Sequence, residues 1–145
     1  MDVFSVLTQS PLMSGFSADG VRIIQAASVQ RQFPAGTPIF VEQMLGESAF
    51  IVGSGRVGLF LGNENLGNLE AYESFGEMSL IRPGPRKIGA RSTTALEVIE
   101  IRRSNFLEVQ KQRPQACLKL LLNIVDLVGV RSAYASPGIK QILEG

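Results

Sequence analysis

VQRQFPAGTPIFVEQMLGESAFIVGSGRVGLFL, residues 29–61, decides how the rest of this chain folds. Val29, Arg31 and Phe33 alternate with Gln30 and Gln32, the period of two that suits an extended strand with unlike faces. Pro34, Ala35 and Gly36 then supply a turn. Short β-type runs follow at 38–41, 49–52 and 56–61, separated by turn residues at Gly46-Glu47, Gly53-Ser54-Gly55 and Gly62-Asn63. Toward the C-terminus, residues 66–72 read as another strand. The last strand is 95–101, with Leu96, Val98 and Ile101 inward. Many short strands at regular spacing, cornered by glycine, read as a sandwich or a jelly-roll barrel.

Helical patterns flank this region. Residues 3–7 form a short helical turn ahead of Pro11. Ser17 is placed as an N-cap, with Ala18 and Asp19 in the first turn. Val21, Ile24 and Ala27 share one face of that helix, and Leu12, Met13 and Phe16 dock its start against the body. Beyond Arg103 the period becomes helical again. Ser104 reads as the cap of a short helix carrying Phe106 and Leu107, and Pro114 opens a longer helix running to about residue 132. The apolar residues of that helix, from Leu118 to Val130, cover more than one stripe. Contact with the barrel alone leaves some exposed, to be covered by a ligand, by the N-terminal helices or by a second copy of the chain. Lys119, Asn123 and Asp126 fall on one side, facing a ligand or solvent. Residues 135–138 break the helix and 139–143 form a final turn.

With 145 residues, 45% of them apolar and 19% charged, the chain reads as one globular domain spanning 1–145. Its barrel covers about 29–102 and its C-terminal helices about 104–132. A net charge of +1, with 14 Lys and Arg spread along the chain, provides no basic field for nucleic acid. A single cysteine, Cys117, excludes a disulfide framework and reads as a packed thiol. With no histidine and one cysteine, neither a zinc site nor a Ser-His-Asp or Cys-His catalytic set can be built. The reading is a non-enzyme. Asp2 and the lack of a basic segment before an apolar core argue against a signal peptide. Residues 118–130 are interrupted by three polar residues and are too short to span a bilayer. Cytoplasmic location is the expectation.

The chemistry concentrates in FGEMSLIRPGPRK, residues 75–87. Gly76 and Glu77 precede a short apolar turn at Met78, Leu80 and Ile81. Pro83, Gly84 and Pro85 make a corner before Arg86 and Lys87. A short helix begun on glycine presents free backbone N–H groups. Arg86 adds a planar fork of donors suited to phosphate. An ionised Glu77 only accepts hydrogen bonds, which suits sugar hydroxyls. Donors for phosphate and an acceptor for ribose suggest a nucleotide; a Glu77–Arg86 salt bridge across a surface turn accounts for the same residues. Arg82 and Arg91 read as solvated charges.

Taken together, the order of elements resembles the cyclic nucleotide-binding domain family, the module of catabolite activator proteins, protein kinase A regulatory subunits and cyclic-nucleotide-gated channels. The likeness runs from about residue 11 to 130. PLMSGFS at 11–17 is similar to the family's opening segment, and FPAGTPIF at 33–40 resembles its strand–turn–strand. Gly46 and SGRV at 54–57 match its glycine corners. FGEMSL at 75–80 and Pro85-Arg86 resemble its phosphate-binding cassette. The resemblance implies a mostly β fold with flanking helices: a double-stranded β-helix (jelly-roll) barrel with N-terminal helices and a long C-terminal lid helix over the base, around 120–128. It implies that Gly76 and Glu77 line the ribose, that the amides of Met78 and Ser79 face the cyclic phosphate, and that Arg86 and the backbone N–H of Lys87 complete its binding. The implied function is non-enzymatic sensing of a cyclic purine mononucleotide. No catalytic cofactor is implied. Some members carry a hydroxyl after the arginine that favours guanine; Lys87 lacks one, so cAMP is expected ahead of cGMP. The C-terminal helix would close over the ligand and relay to an effector protein or a homodimer partner. The segment 132–145 is too short for a helix-turn-helix, so DNA binding by this chain is not expected, nor is membrane insertion. Where the family carries a small residue, alanine and often threonine after the arginine, this chain has Lys87, Ile88 and Gly89. They support an alternative, a degenerate fold that binds proteins without nucleotide.

Overall fold

Hydroxyl and carboxylate caps begin the N-terminal helices of the computed structural model, which describes residues 1–134 and their side chains through Arg131. Asp2 accepts from the Ser5 amide at 3.2 Å and opens α1 (Val3–Gln9). Ser10 accepts from the Leu12 amide at 3.3 Å and opens a 3-10 turn (Pro11–Met13). Ser17 accepts from the Gly20 amide at 3.1 Å and opens α2 (Ala18–Gln25), the cap read from sequence. Leu12, Met13, Val21, Ile24 and Ala27 are buried, so these segments dock as expected.

The strands are β1 (Ser28–Phe33), β2 (Pro38–Phe40), β3 (Leu45–Gly46), β4 (Ser48–Ser54), β5 (Val57–Leu61), β6 (Glu64–Leu69), β7 (Ser74–Phe75), β8 (Gly84–Pro85), β9 (Gly89–Ser92) and β10 (Leu96–Arg102). A one-turn helix, α3 (Met78–Ile81), sits between β7 and β8. The chain then turns helical as α4 (Arg103–Gln112) and α5 (Pro114–Tyr134). One antiparallel sheet runs β1-β10-β4-β7 and a second β2-β9-β5-β6, with β3 and β8 forming a two-residue ladder. The architecture is a jelly roll with flanking helices, and its two sheets do not close into a continuous barrel.

β4 and β10 are buried on both faces, and their period of two sorts the core into two clusters. Ala49, Ile51, Ile99 and Ile101 face the helices, joining Leu7, Leu12, Ile24, Phe106, Leu120 and Ile124. Phe50, Val52, Leu96 and Val98 point between the sheets, with Phe33, Phe40, Val57 and Phe75. Each such fully buried side chain contributes roughly 1.5–3 kcal/mol. Leu96, Val98 and Ile101 are therefore all inward, although they serve two different cores.

Four readings change. The strand expected at 66–72 is β6, already paired at Glu64 and finished at Leu69, because the tight turn at Gly62-Asn63 places Glu64 opposite Leu61. Tyr72 lies in a turn with φ of 74°. The corners expected at Gly46-Glu47 and Pro83-Gly84-Pro85 contain a ladder, Leu45 opposite Pro85 and Gly46 opposite Gly84. Residues 89–92 form β9, a strand without an apolar alternation; small Gly89 and Ala90 let it fit between β2 and β5. Ser104 does not cap α4, which starts at Arg103 as a direct continuation of β10. The Arg103 amide instead donates to Glu47 O at 2.8 Å. The break at 135–138 and the turn at 139–143 lie outside the described residues. No helix among the described residues is long and apolar enough to cross a membrane.

Candidate functional site

β7 places the loop that carries the polar residues. Phe75 pairs with Phe50 of β4, and their rings stack at 5.1 Å. Gly76 follows with φ of +70°, a conformation that favours glycine. A side chain there would also be obstructed, since a Cβ would lie 2.7 Å from Arg86 Nη1. Gly46 guards the other side: its Cβ would lie 2.5 Å from Ser79 Oγ and 2.8 Å from Arg86 Nε. Arg86 thus threads a slot that only two bare backbones leave open.

Arg86 turns into the mouth of the sandwich. Its Nη1 donates to Gly76 O at 3.1 Å and its Nη2 to Ser48 O at 2.7 Å. The guanidinium carbon stands 4.1 Å over the Phe40 ring, a cation–π arrangement. Burial pushes its pKa down, and the charges of Glu77 and then Glu100 oppose that shift. Glu100 is itself buried, accepting from Ser48 Oγ at 2.6 Å and from Arg31 at 3.2 Å.

Glu77 is 3% exposed. Its Oε1 accepts from Arg131 Nη1, and Arg131 Nη2 donates to Ser74 O. The salt bridge considered from sequence, Glu77 to Arg86 across the turn, does not form. Glu77 pairs instead with a residue 54 positions away, and Arg86 pairs with backbone carbonyls. One atom of each is left over. Glu77 Oε2 and Arg86 Nε are two of the three buried side-chain polar atoms without a partner among the described residues, the third being Arg103 Nε. Glu77 and Arg86 thus each keep one buried hydrogen-bonding atom unused.

The other expected positions divide. Met78 is exposed and Ser79 buried at the start of α3, where the Ser79 amide donates to Gly76 O at 3.3 Å. Leu80 is buried in the helix-side core. Lys87, just before β9, is exposed; so are Arg82, at the end of α3, and Arg91, within β9 and over the Phe60 ring at 5.6 Å. Leu120 and Ile124, expected to cover the base, are buried in the helix-side cluster. Asn123 does not reach the cassette: its Nδ2 donates to Leu12 O at 2.7 Å and Ser14 O at 2.9 Å, and Lys119 donates to Gly15 O. Asp126 lines a cleft with Pro11, Ser14 and Asn123. Sequence reading missed Arg131, and the signal was a lone cation late in an otherwise apolar helix. A separate cleft of about 140 Å³, lined by Pro38, Phe40, Phe60, Gly89 and Arg91 among others, includes neither Glu77 nor Arg86.

The site therefore offers a carboxylate acceptor and a guanidinium around one loop. That set can hold an anion beside a hydroxyl-bearing group. The family model for the cyclic nucleotide-binding domain matches residues 30–113. The cyclic AMP receptor protein of Thermus thermophilus is 34% identical over 110 residues, 72% of this chain and 51% of that protein. The crystal structure of Thermus thermophilus catabolite activator protein matches with a TM-score of 0.73 at 31% identity, covering 84% of this chain and 58% of the other. The N-terminal domain of a Streptomyces coelicolor A3(2) transcriptional regulator shares the fold, with a TM-score of 0.78 at 21% identity over 90% of this chain and 97% of its own. This chain spans about half the length of the Thermus receptor protein.

Proposed function

The chain belongs to the cyclic nucleotide-binding domain family, and from that premise we propose that it is a single sensor unit for a cyclic purine mononucleotide, cAMP ahead of cGMP. The observation that carries this reading is the pair of buried, unpartnered atoms Glu77 Oε2 and Arg86 Nε. A buried polar atom without a partner is costly, about 1–3 kcal/mol or more when charged. A ribose hydroxyl would satisfy the first and a cyclic phosphate oxygen the second. In this reading Gly76 and Glu77 line the ribose, the amides of Met78, Ser79 and Lys87 face the phosphate, and Arg86 carries the opposing charge.

No reaction is assigned to the site; its output is conformational. Leu80 joins the cassette to the core that holds α5, so a shift of α3 on binding has a packed route to that helix and closes it over the base. On the outer face of α5, Leu118, Leu122 and Val125 are 55–57% exposed at i, i+4 and i+7 spacing. This stripe is our candidate for the surface that meets an effector or a second copy of the chain, in the cytoplasm.

Titration calorimetry with cAMP and cGMP tests the reading. Saturable binding is expected, tighter for cAMP, and Arg86→Gln should weaken it at least tenfold. No heat up to millimolar nucleotide would sink it. A second reading, a degenerate module that binds proteins without nucleotide, draws on one observation: Glu77 Oε1 and both Arg86 Nη groups already have protein partners. It predicts a fully folded chain with an unchanged melting temperature in either nucleotide.

A further inference from the structure

Arg131 is where α5 meets the cassette's acceptor. Its guanidinium spans two groups at once, Glu77 Oε1 and the Ser74 carbonyl, with Ser74 Oγ at 3.5 Å. Glu77 is 3% exposed while Arg131 is 29% exposed, so the arginine lies on the solvent side of the carboxylate. Glu77 Oε2 is buried and without a partner even though its twin oxygen is paired. Arg131 is the side chain paired with this carboxylate, through its other oxygen. These facts rest on different atoms and point the same way.

We infer that Arg131 is a latch: in the ligand-free protein it closes the acceptor carboxylate, and a nucleotide's ribose must displace it, releasing the outer end of α5. The inference rests on the nucleotide reading of the site and adds a regulatory contact to it. The exchange moves pairing at Glu77 from one oxygen to the other: Oε2 gains a hydroxyl donor as Oε1 gives up the guanidinium. Arg131 leaves a partly exposed position for water, where its charge is readily solvated. The latch requires that the ligand bind the unlatched state better than the latched one, which is the condition for moving a two-state element. Once released, the end of α5 is free to settle over the base.

The test compares the full chain with Arg131→Ala and Arg131→Lys, each checked for folding by circular dichroism. With cAMP in the calorimeter, Arg131→Ala should bind about tenfold more tightly than the unmodified chain, within the usual range of coupling between sites. Arg131→Lys, which keeps the charge and loses the two-pronged fork, should fall between. By hydrogen–deuterium exchange, residues 125–131 should be protected in the ligand-free chain, and should exchange faster in Arg131→Ala without nucleotide. If the unmodified chain binds cAMP and a folded Arg131→Ala binds equally or more weakly, Arg131 is a ligand-positioning residue or a bystander and the latch is wrong. Unchanged exchange at 125–131 in ligand-free Arg131→Ala overturns it as well. No heat from any of the three proteins overturns the nucleotide reading and the ligand-driven release together, an outcome distinct from failure of the latch alone.

Discussion

From Cys117 to Ile124, α5 is embedded along one face: Cys117, Leu120 and Ile124 are fully buried, and Lys119 and Asn123 tie it to the carbonyls of Leu12, Ser14 and Gly15, while Leu118 and Leu122 face outward. From Val125 to Arg131 the same helix is held differently. Val125 and Val130 are each 57% exposed, Leu127 and Val128 are only partly buried, and the ionic tie to the cassette is Arg131 with Glu77. Apolar burial is non-directional and spread over many contacts, so the embedded half cannot respond to one group being replaced. A single polar contact can be exchanged for another of the same kind. One half of the helix is held by packing, and the other by partial packing and one ion pair.

That contrast can be broken in several places. Ile124→Ala should lower stability by about 2–5 kcal/mol, read by denaturant unfolding, because it opens a cavity in the helix-side core. A loss under 1 kcal/mol would mean that the embedded half is not anchored by packing. Asn123→Ala removes one partly buried hydrogen bond, to Leu12 O, and one exposed, to Ser14 O, and should remove about 1–2 kcal/mol, with faster amide exchange at residues 11–16. Exchange there that matches the unmodified chain would break the link between α5 and the N-terminal segment.

Cys117 reports on the same half by chemistry. Burial pushes its thiol pKa up, with Phe106 O at 4.0 Å as its acceptor. Because the folded value is raised, this contribution to stability is fully present below the ordinary thiol range and is lost as pH climbs from there through the raised folded value. A thiol reagent at pH 8 should therefore modify Cys117 only as fast as the helix opens, far more slowly than a free thiol. Modification at the free-thiol rate would place Cys117 outside the core. Last and smallest, Val125→Ala on the outer half should change monomer stability by no more than about 0.5 kcal/mol. A larger loss at high protein concentration alone would show that this stripe is covered by a second copy.

How much of this was legible depends on what each element is made of. β4, β5 and β10 announce themselves as apolar runs because their side chains do the packing. β3, β7 and β8 are two residues each and exist through backbone pairing with distant partners, which leaves no side-chain period to find. β9 is hidden for a related reason, since its fit depends on Gly89 and Ala90 being small. In the site, the grouping of Gly76, Glu77 and Arg86 on one loop was readable because the residues are close in sequence. The partner of Glu77 was not, because the path of a 21-residue helix decides it. Asn123 was placed on a polar face correctly, but its acceptors are main-chain carbonyls, which any sequence could supply.

Between the pinned pair Ser74–Phe75 and the first residues of the cassette stands one glycine. Phe75 is fixed by its strand partner and by the stacked ring of Phe50, and Glu77 already takes helical angles at the head of α3. Gly76 is thus a swivel with two torsions, and the cassette beyond it is a short rigid arm. A tilt of that arm about Gly76 reaches the helix-side core through Leu80, its far contact. Glu77 and Leu80 stand about one helical turn apart, so the swivel and the core are separated by a single turn of backbone.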